Sequence, residues 1–209
     1  MMKTKDIAFA YKTSVKFRYP NLMCTNEQPL LITGKSGCGK STLLHITAGL
    51  IQNYNGEIWI DNKPIHTFTA KEMDVFRGKH IGIVYQKPHF VASLSIVENI
   101  ELASFLGSGK RNKTLANKRM EELDIKHIAN HLPHEASVGE LQRAAIARAL
   151  MNEPKLIIAD EPTSSLDDAN ASLVAQLLQQ QSYEAKAALM IVTHDERLKQ
   201  QFNNHIQLI

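Results

Sequence analysis

The eight residues Gly34-Lys35-Ser36-Gly37-Cys38-Gly39-Lys40-Ser41 constrain this chain more than any other segment. They follow a short apolar run, Pro29 to Thr33, and lead into a helical pattern from Ser41 to Leu50, so a strand must feed a glycine-rich loop directly into a helix. Glycines let backbone N–H groups turn inward because no Cβ obstructs them, and the start of the following helix adds partial positive charge. A loop of this kind cradles a phosphate chain. Its binding residues are Gly34, Lys35, Ser36, Gly37, Cys38, Gly39, Lys40, Ser41 and Thr42, with Lys40 spaced to reach β- and γ-phosphates and Ser41 to reach Mg²⁺.

Two further apolar runs, Leu156 to Ala159 and Ala188 to Val192, read like Pro29 to Thr33 as strands buried on both faces, the pattern of a parallel sheet. Helical patterns lie between them, including Gly139 to Met151, which Pro154 stops. The alternation argues for an α/β sheet. Near the N-terminus, Asp6 to Tyr11, Val15 to Tyr19 and Gly56 to Ile60, with the turn Asp61-Asn62, read as antiparallel strands beside it. From Lys87 to about Glu135 the signals turn helical and polar, with Lys110 to Asn117 a charged loop or helix edge, so that stretch reads as an inserted helical subdomain.

Composition excludes several classes. At 209 residues, 44% hydrophobic and 22% charged, the chain can bury the core of one domain and is unlike disordered or collagenous proteins. Its net charge of +3 creates no strong field for nucleic acid or anionic lipid. Cys24 and Cys38 cannot make a disulfide framework, and Met1 to Asp6 is charged with no long apolar run behind it, so a cytoplasmic location is expected. No stretch approaches the ~18 apolar residues of a membrane span, so any membrane role is expected to run through a partner.

A second chemical motif is the apolar run Leu156 to Ala159 ending in Asp160-Glu161. Ligands in open α/β sheets sit beyond the C-terminal ends of the strands, where these two carboxylates are delivered. Asp160 suits a magnesium shell, and Glu161, pointing differently, can polarise a water for in-line attack on phosphorus.

Together with further segments in fixed order, these motifs resemble the nucleotide-binding ATPase of an ABC transporter, over nearly the whole chain. The resemblance implies that Tyr11 stacks on adenine and that Gln86, ending the run Arg77 to Gln86 that leads into the Q-loop, senses Mg²⁺ and water. It likens Glu98-Asn99-Ile100 to the segment that follows, Leu166-Asp167 to the D-loop, and His194 to the switch histidine at the γ-phosphate. The implied catalytic set is Glu161, His194, Gln86 and Lys40, and the implied metal ligands are Ser41, Gln86 and Asp160. The family signature is present as Ala136-Ser137-Val138-Gly139-Glu140, then Gln142-Arg143 and Ala147-Arg148-Ala149-Leu150, with Ser137 and Gly139 implied to touch nucleotide held by an opposite subunit. Val138 departs from the pattern where the family has glycine: a β-branched residue there threatens backbone geometry and close approach, and the alternative is a loop conformation compatible with valine. His127, His131 and His134 have spacing reminiscent of zinc ligands but lack a completing cysteine or acidic pair.

The resemblance implies a P-loop NTPase of α/β class, a RecA-like core with an N-terminal antiparallel β region and the inserted helical subdomain. Residues 1–209 form one domain in this reading, with core at about 1–86 and 153–209 and the helical subdomain at about 87–152. Two ATP·Mg²⁺ are expected between the subunits of a head-to-tail homodimer or heterodimer that drives an integral membrane permease from the cytoplasmic face of the inner membrane. Length and the Glu140 form of the signature resemble the short ATPases of the lipoprotein-release and macrolide-efflux branch. The alternative is a regulatory ATPase of that branch, which transmits force to a membrane or periplasmic partner and moves no substrate. A DNA-repair or chromosome-organising ATPase is disfavoured, because the interval from Lys40 to Asp160 has no room for a long coiled coil and no nucleic-acid partner is indicated.

Overall fold

Leu30, Leu31 and Ile32 are all fully buried, yet they belong to two different cores, because successive residues of a strand face opposite sides of its sheet. The computed structural model that shows this describes residues 1–11 and 16–209, so Val15, where the second N-terminal strand was expected to begin, lies outside the described residues. In chain order the strands and helices are β1 (Met2–Ala10), β2 (Lys16–Arg18), β3 (Met23–Cys24), β4 (Leu30–Gly34), α1 (Lys40–Thr47), β5 (Asn55–Ile60), β6 (Lys63–Pro64) and α2 (Ala70–His80). They continue as β7 (Ile81–Val84), α3 (Ile96–Ser108), α4 (Lys113–Glu122), α5 (Val138–Leu150), β8 (Leu156–Asp160), α6 (Asp168–Glu184), β9 (Ala188–Val192) and β10 (Asn204–Leu208).

The strands make two sheets. One is wholly parallel, in the order β10-β4-β9-β8-β7, and the other is antiparallel, in the order β2-β1-β5-β6 with β3 also paired to β1. One face of the parallel sheet, carrying Leu31, Ile157, Ala159, Leu189 and Ile191, packs against α3, α5 and α6. The other face, with Leu30, Ile32, Leu156, Ile158 and Met190, packs against α1, α2 and the antiparallel sheet. Covering both faces buries the apolar runs completely, at roughly 1.5–3 kcal/mol for each large side chain taken out of water. The expected α/β class is what the chain adopts.

Local signals set most helix starts. Thr69 with Glu72, Ser95 with Glu98 and Ser137 with Glu140 form capping boxes, while Asn112 and Asp167 cap α4 and α6 with their side chains. Several expected boundaries shift for identifiable reasons. The helix that Thr69 caps runs on through Arg77 to His80, so the run expected as strand from Arg77 begins only at Ile81, where pairing with Leu156 starts. Helix α1 stops at Thr47, short of Leu50, because Gly49 turns the chain at φ +67°. The charged stretch after Lys110 is helical from Lys113, burying Ala116 and Met120 on one face and leaving its charges to water. β1 starts at Met2, before Asp6, because Met2 and Thr4 alternate inward between Lys3 and Lys5.

Strand β7 meets α5 at van der Waals limits: a Cβ on Gly82 would lie 2.5 Å from the Ala149 carbonyl oxygen. Because that neighbour is backbone, Gly82→Ala is expected to destabilise the protein by about 1–3 kcal/mol. Thermal unfolding checks this, with a fall of roughly 2–4 °C per kcal/mol for a domain of this size.

Candidate functional site

Four neighbouring strands of the parallel sheet end on the same edge, and each ends in chemistry. β4 runs into the phosphate-type loop, β9 into Thr193-His194, β8 into Asp160-Glu161, and β7 into Tyr85-Gln86. The ladder extends one step beyond the strands, with Thr193 N donating to Ile32 O at 2.9 Å and Glu161 N to Val192 O at 2.8 Å. Residues more than a hundred positions apart therefore meet without any long loop to hold them.

The loop is shaped around its glycines. Gly39 has φ +95°, and a Cβ there would lie 2.6 Å from the Phe17 ring and 2.7 Å from the Tyr19 hydroxyl, which itself donates to Gly39 O at 3.0 Å. Helix α1 follows with Gly39 as its N-cap and no side-chain cap, whereas α2 to α6 all have one. Its first N–H groups are left for an external acceptor such as phosphate. The Lys40 ammonium folds back to donate to Gly34 O at 2.7 Å and Lys35 O at 3.1 Å.

A cavity of about 490 Å³ opens over this loop. Ser36, Gly37, Gly39, Lys40, Ser41 and Thr42 line it together with Gln86, Glu161 and His194, so most of the expected site residues are brought to one place. Glu161 stands in the left-handed region at φ +49°. Its carboxylate accepts from Thr193 Oγ1 at 2.7 Å and His194 N at 3.0 Å, and His194 Nδ1 lies 2.8 Å from the other oxygen. Asp160 sits just behind. Its Oδ1 is buried with no hydrogen-bond partner, and burial, reinforced by the adjacent Glu161 charge, raises its pKa. The orphaned carboxylate oxygen of Asp160, with the Ser41 hydroxyl and the Gln86 amide oxygen of the cavity wall, makes a hard, all-oxygen donor set of the kind Mg²⁺ takes, so the chemistry of these residues fits that ion.

Some expected residues stand elsewhere. Tyr11 is off the cavity wall, with its hydroxyl 3.1 Å from Thr42 Oγ1 and its ring edge-on to Phe9 and Phe17, and Phe17 is the aromatic residue lining the cavity. Ser137 and Gly139 line a separate cavity of about 410 Å³ with Ser165, Leu166, Asp167 and Asn170. At that site Val138 is the first helical residue of α5, has no positive φ and is 55% exposed, so the expected backbone strain from valine is absent: the N-cap geometry asks for ordinary helical dihedrals. Glu140 caps Ser137 and lies 2.7 Å from His127 Nε2. The Ser137 donors, then His127, hold the Glu140 pKa down to about 2. The stability this cap contributes is thus present above the ordinary carboxylate range and lost only as pH falls towards 2.

Several contacts carry no sequence signature of their own. Thr193 anchors Glu161. Arg197 binds Asp195 through Nε at 2.8 Å and Nη2 at 2.7 Å and also pairs with Asp168, while Thr163 Oγ1 donates to Asp195 at 2.7 Å. Arg197 leads the causes that bring the Asp195 pKa down to about 2. This clamp ties the segment after His194 to the segment around Asp167, and only the nearness of these residues to recognised motifs hinted at it.

A phosphate-type loop on the same sheet edge as a carboxylate pair defines a P-loop ATPase. Residues 18–164 match the family model described as ABC transporter. The chain is 36% identical over 214 residues to the lipoprotein-releasing system ATP-binding protein LolD of Wigglesworthia glossinidia brevipalpis, covering 100% of this chain and 93% of that protein. It is 40% identical over 172 residues to LolD 2 of Chlorobaculum tepidum, covering 79% and 70% respectively. Among solved structures, the dimeric post-hydrolysis state of the ATP-binding cassette MJ0796, bound to ADP and Pi, matches with a TM-score of 0.86 at 31% identity, covering 100% of this chain and 94% of that one. The protein therefore belongs to the ABC transporter family, as an ATP-binding, ATP-hydrolysing subunit.

Because burial penalises the ionised Asp160, Asp160→Asn is expected to abolish ATPase activity while raising the melting temperature of the nucleotide-free protein by about 2–4 °C, on the scale of one lost desolvation penalty. Paired activity and thermal-shift measurements read both signs at once. The two cysteines differ equally sharply. Cys24 is fully buried, with its thiol pushed up to about 12 by burial, whereas Cys38 is only half-buried within the phosphate-type loop. A thiol reagent is expected to label Cys38 far faster than Cys24, and Mg·ATP to slow only Cys38, as mass spectrometry of the two peptides would record.

Proposed function

We propose that the chain is the ATP-driven motor subunit of a lipoprotein-release or efflux type transporter, working as a head-to-tail dimer with ATP·Mg²⁺ at each shared site. One observation carries this reading: Ser137 and Gly139 line a cavity separate from that of Lys40 and Ser41, so one chain offers two half-sites facing different ligand spaces. A second subunit, rotated head to tail, supplies the missing half to each. The Ser137-capped start of α5 then meets the γ-phosphate end of nucleotide seated on the partner's loop.

Within one half-site, Lys40 exchanges its two loop carbonyls for phosphate oxygens, a charge-assisted replacement. Ser41, Asp160 and Gln86 would hold Mg²⁺, whose charge would offset that developing on the phosphates. Glu161 orients and deprotonates the attacking water, and His194, anchored to the same carboxylate, turns towards the γ-phosphate. Phe17, which lines the cavity, offers the aromatic surface for adenine in the place expected for Tyr11.

No helix among the described residues is long and apolar enough to cross a membrane. The reading therefore needs an integral membrane partner, and a groove of about 580 Å³ beside the Q-loop suits an apolar element of such a partner. Tyr85, His89 and Val91 line it, and Leu106, 74% exposed, stands at its rim. The chain would sit on the cytoplasmic face of the membrane through that contact.

Glu161→Gln should bind ATP yet turn it over about 100-fold more slowly or worse, the scale of a lost general base. Sedimentation of this variant with ATP tests the dimer. Adding Val138→Gly is expected to tighten dimerisation by removing an exposed side chain from the closing face. Equal dimerisation would show that the valine is accommodated, and a chain that stays monomeric in both would overturn the homodimer.

A further inference from the structure

We propose that Ser164 is a positioning residue that decides which end of the Gln86 amide faces the magnesium side of the site. The inference rests on the assignment of Gln86 as a magnesium ligand and adds the residue that orients it. Ser164 lies half-buried in the turn after β8, with its hydroxyl between two groups that matter. Ser164 Oγ donates to the Glu161 carbonyl oxygen at 3.1 Å, and Gln86 Nε2 donates to Ser164 Oγ at 3.0 Å.

A serine hydroxyl carries one proton. Once that proton is committed to the Glu161 carbonyl, which also receives Ser164 N at 3.4 Å, the hydroxyl oxygen can only accept from Gln86. The reverse amide orientation would set two acceptors against each other. The –NH₂ end of Gln86 is thereby held at Ser164, and Oε1 is the end left for a cation. Magnesium takes oxygen ligands, and an amide turned the other way would present its N–H dipoles to the positive charge. Gln86 is exposed two residues beyond β7, and Ser164 Oγ is the hydrogen-bond partner of its amide among the described residues.

The same hydroxyl braces the backbone of Glu161. That residue is held at φ +49°, and its carbonyl is taken by both polar groups of Ser164. One side chain thus links the loop leading to the proposed membrane groove, through Gln86, with the main chain that aims the water-activating carboxylate. Loss of the hydroxyl should act on metal binding and turnover more than on ATP affinity, which the phosphate-type loop supplies independently.

The experiment uses the full chain carrying Glu161→Gln, loaded with ATP, with Mn²⁺ as the probe and free Mn²⁺ read by electron paramagnetic resonance. Ser164→Ala and Ser164→Gly should each weaken Mn²⁺ binding about 2- to 10-fold, the range for one hydrogen bond. Ser164→Thr, which keeps the hydroxyl, should bind Mn²⁺ as the parent does, without the loss seen in the hydroxyl-free variants. With Glu161 intact, Ser164→Ala should lower kcat and leave the KM for ATP nearly unchanged. The deciding measurement is the double variant: Gln86→Ala with Ser164→Ala should bind Mn²⁺ no more weakly than Gln86→Ala alone. Additive losses, or parental Mn²⁺ affinity in both hydroxyl-free variants while Gln86→Ala is weakened, overturn the role of Ser164. Parental affinity in Gln86→Ala itself overturns the assignment of Gln86 as a ligand, a separate failure that takes the inference with it.

Discussion

The run of parallel hydrogen bonds from β4 through β9 and β8 to β7 is the interaction on which the rest of this molecule depends. It sets the register of four strand ends to within a residue, so the phosphate-type loop, His194, Glu161 and Gln86 occupy one edge. Slipping any one strand by a residue would turn its core side chains from one hydrophobic cluster to the other, where close packing against different neighbours opposes it. Hydrophobic packing thereby enforces a geometry whose purpose is polar. The tolerance is small at Gly82, where strand and helix backbones touch.

The polar groups at that edge divide into those already satisfied and those left open. Lys40 is bonded to two loop carbonyls, and Glu161 has partners at both carboxylate oxygens. A ligand reaching these groups must exchange one set of hydrogen bonds for another, so the net gain from each is modest. The uncapped start of α1 and the orphaned Oδ1 of Asp160 are different: the protein supplies them no partner, so a ligand that met them would displace no hydrogen bond. The raised pKa of Asp160 records the cost of keeping that position open.

Placement of the signature turns on helix geometry. Ser137 is an N-cap with a capping-box glutamate, so the residue after it needs only helical dihedrals, and Val138 meets that need where the sequence alone raised the fear of strain. What the valine changes is the surface presented to another molecule. The clamp of Arg197 on Asp195 and Asp168 lies beside this face and ties the segment after His194 to the segment around Asp167.

Much of this was legible in the residues themselves. A glycine-rich loop between an apolar run and a helix, and an apolar run ending in Asp160-Glu161, specify strand ends and phosphate chemistry through local sterics and period alone. The capping boxes at Thr69, Ser95 and Ser137 went unread, and the helix that Thr69 caps takes four residues that had read as strand. Sequence could not decide strand order, because the pairing of β4 with β9 joins segments separated by most of the chain, and that of β8 with β7 joins segments separated by the whole helical stretch between them. Nor could it decide that Phe17 lines the cavity while Tyr11 turns to Thr42, that His127 meets Glu140, or that Ser164 stands between Gln86 and Glu161. Those contacts join side chains brought together by folding, and spacing along one chain carries no record of distances across it.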